Sequence, residues 1–222
     1  MKVEAQSEHN LVSYHSVMRD GSDSSDLENF LWKSFDHPGN TFLPGMKFGN
    51  DLVTGLDKYL SSWKSANDPF PGDYTNRLNP NGFPQIFLRK GSVIQFRSRP
   101  WNGLRFSGMP NLKSNSIYTF EFVLNQKEIY YQFELINSSV VTKMVLSLNS
   151  VIQRFTWIEH TQDWSLYLTA QMDNCDRYAL CGAYGSCNIN NSPACGCLKG
   201  FKPKSLEEWV IADWSNGCVR KT

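Results

Sequence analysis

The chain has no long apolar run, almost no excess of either charge, and no cysteine before residue 175. Each absence removes a class of protein. The best apolar stretch, Val140 to Leu148, is interrupted by Lys143 and falls well short of the ~20 residues a bilayer span requires. The opening residues, Met1-Lys2-Val3-Glu4-Ala5-Gln6-Ser7-Glu8, lack the apolar centre of a secretory leader, so the sequence reads as a fragment or a truncated gene product. Lys and Arg number 22 against 21 Asp and Glu, a formal net charge of +1, and no general field draws the chain to nucleic acid or anionic lipid. His9, His15, His37 and His160 are scattered, and there is no nucleophile elbow, H-E-x-x-H, Walker loop or kinase signature. Catalysis and a cofactor are therefore not expected, and Glu207-Glu208 reads as a solvated pair.

What the sequence does have is aromatic residues, turns and a late cluster of cysteines. Seven Trp, nine Tyr and fourteen Phe suit a pleated, half-buried surface. Pro38-Gly39, Pro44-Gly45, Pro71-Gly72 and Asn81-Gly82 break residues 36–110 into short strands such as Tyr59 to Trp63 and Gln85 to Leu88. From Tyr118 the pattern alternates, with Tyr118, Phe120, Phe122 and Leu124 on one face of a predicted strand. It resumes at Ile129, Tyr131, Phe133 and Leu135, and again at Val140, Thr142, Met144, Leu146 and Leu148, which predicts a three-stranded antiparallel meander. Two further strands are predicted at Val151 to Trp157 and Trp164 to Leu168. The expected fold class is all-β, a prism or barrel that closes its own edges.

Cys175, Cys181, Cys187, Cys195, Cys197 and Cys218 all lie in the last quarter of the chain, an even number in a short segment, which reads as a disulfide framework. Zinc is the weaker reading, since there is no Cys-x2-Cys pair and the last histidine precedes the cluster. The segment Cys195-Gly196-Cys197-Leu198-Lys199-Gly200-Phe201, after cysteines spaced C-x5-C-x5-C-x7-C, resembles an EGF-like module. That resemblance implies bridges Cys175 to Cys187, Cys181 to Cys195 and Cys197 to Cys218, the last across a gap longer than the EGF pattern usually has. Asp173-Asn174 precede the first cysteine, but the matching acidic pattern further on is missing, so calcium is not expected.

A wider resemblance is carried by Leu31-Trp32-Lys33-Ser34-Phe35-Asp36-His37-Pro38, Leu43-Pro44-Gly45-Met46-Lys47, Leu60-Ser61-Ser62-Trp63-Lys64-Ser65, Asp68-Pro69 and Pro71-Gly72-Asp73-Tyr74. Pro100-Trp101-Asn102-Gly103, Phe106-Ser107-Gly108, Cys175-Asp176-Arg177-Tyr178 and Cys181-Gly182-Ala183-Tyr184-Gly185 extend it. From about Leu31 onward the chain resembles the ectodomain of plant S-domain proteins, the S-locus glycoproteins and the G-type lectin S-receptor-like serine/threonine kinases. The resemblance implies a remnant of a bulb-type lectin domain with linker at 1–30, a β-prism-like S-locus domain at 31–170 and the EGF-like module at 171–222. One departure stands at Arg99, where the family usually has Gly, and the turn there is expected to be altered locally.

By the same resemblance, Gln6, Glu8, Asn10 and Tyr14 look like the Q-x-D-x-N-x-V-x-Y mannose motif, with Glu8 in the Asp place. Alternation on a strand would converge their polar ends on sugar hydroxyls. Asn137-Ser138-Ser139 and Asn190-Asn191-Ser192 are glycosylation sequons on predicted turns. Arg97, Arg99, Trp101 and Arg105 are of the types that anchor interfaces, while Trp101 could equally be core. The implied role is extracellular, cell-surface recognition by a non-catalytic ectodomain, with pollen recognition as the family's associated process. The implied partners are a protein or peptide ligand, a related receptor in a homo- or heterodimer, or carbohydrate, with no nucleic acid and no membrane contact by this chain.

Overall fold

The computed structural model describes residues 2–6, 15–19, 30–109, 112–170 and 174–221. Strands dominate. Residues β1 (Lys2–Gln6), β2 (His15–Arg19) and β3 (Phe30–Lys33) form a three-stranded antiparallel sheet in the order β1-β2-β3. Next along the chain come β4 (Thr41–Phe42), β5 (Phe48–Asp51), β6 (Asp57–Lys58), β7 (Leu60–Ser65), β8 (Asp68–Asn79), β9 (Gln85–Lys90) and β10 (Val93–Arg97). They are followed by β11 (Tyr118–Leu124), β12 (Glu128–Leu135), β13 (Thr142–Leu146), β14 (Ile152–Ile158) and β15 (Asp163–Thr169).

These twelve strands make three four-stranded antiparallel walls, β10-β9-β8-β7, β11-β12-β5-β6 and β15-β14-β13-β4. The alternation in the sequence explains their inner faces. Ile129, Tyr131 and Phe133 of β12, Thr142, Met144 and Leu146 of β13, and Ile86 and Leu88 of β9 are all buried, with their neighbours turned outward. All three walls contribute to one core, in which Phe42 lies edge-on to Phe48 and Phe133, and Phe120 stacks on Tyr131 at 5.3 Å. The prism-like, all-β reading thus describes the molecule.

Two strands connect differently from the sequence reading. The expected meander stops after β12, whose other neighbour is β5, with Tyr131 opposite Phe48. Strand β13 instead pairs with β14 and with β4, with Met144 opposite Arg154 and Phe42. The polar turn at Asn137 to Ser139 carries the chain from one wall to the next, and alternation along a strand does not reveal which strand lies beside it. The second difference is β8, a twelve-residue central strand running through Pro71-Gly72, which the sequence marks as a break. It is tolerated because the pairing of β7 with β8 is irregular there, shifting register on both sides of the Trp63–Pro71 pair. Gly72 is required by close approach, since a Cβ there would meet the Trp63 carbonyl oxygen at 2.2 Å.

One buried residue does not look like core. Arg154 is fully buried, with its guanidinium 4.2 Å from the Tyr118 ring, 4.3 Å from Phe133 and 5.6 Å from Phe120. Its Nη2 approaches the Met144 Sδ at 3.2 Å, whereas Nε and Nη1 have no protein partner among the described residues. Burial disfavours its charge, while the negative faces of the rings stabilise it.

The C-terminal module has little regular structure: β16 (Gly185–Cys187) pairs with β17 (Cys195–Cys197), and β18 (Phe201–Pro203) with β19 (Cys218–Arg220). Its one α-helix among the described residues, α1 (Leu206–Val210), is capped by Ser205, whose Oγ accepts from the Glu208 amide. Glu208 also accepts from Asn216 Nδ2, so it is tied into the module.

Candidate recognition surface

The prism and the module meet along the free edge of β10. Phe96 forms an isolated antiparallel bridge with Arg177, and the Tyr178 amide donates to the Gln95 carbonyl at 2.8 Å. The module therefore covers an edge that would otherwise expose backbone groups. Arg97, the last residue of β10, lies over the Tyr178 ring with its guanidinium carbon 5.4 Å from the centroid.

Immediately after β10 the backbone is pinned. Ser98 is fully buried, and its Oγ accepts from the Ile86 amide at 2.8 Å and donates to the Arg99 carbonyl at 2.9 Å. The Gly108 amide donates to the Ser98 carbonyl at 2.7 Å, and Ser107 Oγ donates to the Pro100 carbonyl at 2.9 Å. Arg99 between these anchors has φ +57°, the left-handed region in which glycine is comfortable and an arginine is strained by about 1–2 kcal/mol. The conformation is one that glycine adopts without strain, and the surrounding hydrogen bonds hold the arginine in it.

The expected interface residues separate into two kinds. Arg97 and Arg99 are exposed and Arg105 is half-buried. Trp101 belongs to the core instead, stacked on Phe122 at 5.2 Å and edge-on to Phe106 at 5.3 Å, because its large ring fills the space at the end of the β11-β12 wall. Arg177 was not singled out by sequence. It reaches the same cleft only through the bridge from the module to β10, a contact between residues 81 positions apart that no local pattern encodes.

The cysteines are joined as Cys175–Cys187, Cys181–Cys195 and Cys197–Cys218, the pairs the EGF-like resemblance implies. The sulfurs of Cys181, Cys187 and Cys195 lie within 4.8 Å of one another, but each is already bonded to another sulfur and offers no thiolate. Phe201, the aromatic of the C-x-C-x2-G-F segment, stacks on Tyr184 with centroids 4.5 Å apart. Asn137 and Asn190 both lie on exposed turns. Asn137 Oδ1 accepts from the Ser139 amide at 3.0 Å, and the Asn190 amide donates to Asn188 Oδ1 at 3.0 Å. Of the mannose-like set, Glu8, Asn10 and Tyr14 lie outside the described residues, and Gln6 is placed only as the last backbone position of β1.

No helix among the described residues is long and apolar enough to cross a membrane. Comparison with known proteins then places the chain. The S-locus glycoprotein domain matches residues 96–205, and a D-mannose binding lectin family matches residues 7–64. Over 93% of its length the chain is 44% identical to the receptor-like serine/threonine-protein kinase SD1-8 of Arabidopsis thaliana. It is 40% identical over 93% of its length to an S-locus-specific glycoprotein of Brassica oleracea. Over 96% of its length it is 39% identical to the S-locus-specific glycoprotein BS29-2 of Brassica oleracea var. alboglabra. The chain belongs to the plant S-domain family of S-locus glycoproteins and receptor-like kinases. It covers 24%, 47% and 49% of these three relatives respectively, at most about half of their length.

The two matched ranges interlock in the fold. Strands β4 to β6 lie in the lectin-type range, yet they complete walls whose other strands lie in the S-locus range.

Proposed function

We propose that this chain is the recognition region of an extracellular S-domain protein, binding a protein or peptide ligand on the outer surface of its prism and performing no catalysis itself. The observation that carries this reading is that one continuous stretch is shared between relatives named as glycoproteins and a relative named as a receptor-like kinase. In this chain that stretch folds into a three-walled scaffold with an arginine-lined seam, a suitable support for binding residues. In this reading 1–30 is the lectin-derived lead-in, 31–170 the S-locus prism and 171–222 the EGF-like module. Disulfides suit an oxidising compartment, and glycans at Asn137 and Asn190 would point away from the core. Pollen recognition is the associated process, and pairing with a related receptor is a second mode of contact.

The test is retention of polypeptides from pistil or leaf extracellular fluid on immobilised, correctly oxidised chain, run beside a glycan array. Retained polypeptide that competes with soluble chain is the expected result. An empty polypeptide fraction with strong glycan binding would transfer the function to carbohydrate recognition. The lectin-type match at 7–64 favours that second reading. A mannose site needs its polar groups held by a rigid scaffold, and in the peptide-binding reading weak or absent retention on mannose-agarose is expected. Retention abolished by Asn10→Ala would favour the lectin.

A further inference from the structure

We propose that the seam between β10 and the disulfide module is an anion-recognising cleft in which Arg97, Arg99 and Arg177 receive the carboxylates of an acidic peptide. This inference rests on the peptide-binding reading above and names the chemistry of the ligand.

The cleft has a volume of about 450 Å³ and is lined by Arg97 and Arg99 from the prism and by Asp176, Arg177 and Tyr178 from the module. Three arginines thus line the place where two parts of the chain meet. Among the described residues Asp176 is the only carboxylate lining the cleft, and none of the three arginines forms a salt bridge. Elsewhere exposed cations of this chain do find carboxylates, as Lys90 does with Asp73 at 3.8 Å and Lys64 with Asp68 at 3.9 Å. With a formal net charge of +1 the excess positive charge here is local. Arginine presents a planar fork of donors that matches a carboxylate with two parallel hydrogen bonds.

Strain gives an independent reason. Arg99 stands in the left-handed region, held there by the Ser98 and Gly108 hydrogen bonds, a conformation in which glycine would be unstrained. An arginine that costs stability at its own position and lines a cleft with two others is an outlier that calls for a function. The backbone around it is fixed on both sides, so the guanidinium groups are presented from a preorganised support. An acidic peptide fits better than a neutral one on charge, and the exposed ring of Tyr178 offers a flat surface for its apolar atoms.

The experiment titrates fluorescent peptides rich in Asp and Glu, and their Asn and Gln isosteres, into the oxidised chain and into Arg99→Gly, Arg97→Gln and Arg177→Gln. Tighter binding of the acidic peptides, weakened by added salt and lost by about tenfold or more on removing any one arginine, is the expected result. Arg99→Gly should melt at the same or a higher temperature while losing the ligand; a merely structural arginine would lower the melting temperature and leave binding alone. Equal affinity for acidic and amide peptides, or acidic binding untouched by all three variants, overturns the cleft. Binding of an oligogalacturonate with the same arginine dependence, and no binding of acidic peptides, overturns the peptide as occupant. Polypeptide retention from extracellular fluid that survives in Arg99→Gly would remove this cleft and leave the wider recognition reading standing.

Discussion

The prism and the C-terminal module solve the same problem by different means. Residues 41–170 bury a core drawn from three walls, with Phe133, Ile129 and Leu146 fully enclosed, and contain no cysteine. Residues 174–221 bury almost no large apolar side chain, since their buried hydrophobic members are Cys181, Cys195 and Cys218, each of them in a bridge. A short segment with few strand pairs cannot collect enough apolar area to offset its ordering entropy, so cross-links that restrict the unfolded chain take over. The comparison teaches that stability in this chain is local in kind, with hydrophobic burial in one part and covalent closure in the other.

The largest test separates the two parts by reduction. The bridges close sequence separations of 12, 14 and 21, and loops of this size contribute about 3 kcal/mol each in the chain-entropy account. Mild reductant should release amide protection across 174–221 while β11, β12 and β13 remain slow to exchange. Simultaneous loss of protection in both parts would show that the prism depends on the module. The converse cut is Phe133→Ala, which should cost the prism about 3–5 kcal/mol and lower its thermal transition, while leaving all three bridges formed in non-reducing peptide maps.

A smaller effect sharpens what "hydrophobic" means in the prism. Arg154→Met removes two donor atoms without protein partners and keeps a long polarisable chain among Tyr118, Phe120 and Phe133. It is expected to raise stability by about 1 kcal/mol in chemical denaturation, the saved desolvation exceeding the lost ring contacts. A loss of several kcal/mol would mean that the cation organises the core.

The smallest effect concerns Asp57, whose carboxyl is pushed above the ordinary aspartate value by burial, a push only partly offset by Arg77. A raised folded pKa means that the folded chain holds its proton more tightly than the unfolded one. The resulting stabilisation is complete below the unfolded carboxyl pKa and is lost as pH rises through the higher folded value. Asp57→Asn should flatten that part of the prism's stability profile, measured by denaturant midpoints across the acid range, and leave the module's exchange unchanged.

How much of this was legible in the sequence follows from what each signal encodes. The faces of β11, β12 and β13 were readable because Tyr118, Ile129, Tyr131, Phe133, Met144 and Leu146 recur with period two. The order of strands across a wall was not, because the partner of β12 lies about 80 residues away and alternation carries no address. Strand β8 was hidden by Pro71 and Gly72, which mark turns in general and here sit in an irregular stretch of pairing. Arg154 was invisible as core because charge normally marks the surface, and only the ring cluster around it makes burial tolerable. At the candidate recognition surface, Arg97 and Arg99 could be named from the sequence, Trp101 turned inward, and Arg177 joined them only through tertiary contact.

The interlocking of early and late strands also bears on how the chain is made. Strand β5 must wait for β12, about 80 residues later, and at a synthesis rate of roughly 5–20 residues per second that is on the order of 4–16 s with one edge unpaired. Over that interval Phe48 and Phe42 have no core to enter, which makes 41–51 the segment most in need of a chaperone as it emerges. Ribosome-bound chains whose residue 128 has not yet left the exit tunnel should therefore leave this segment open to protease, and chains whose residue 146 has emerged should not.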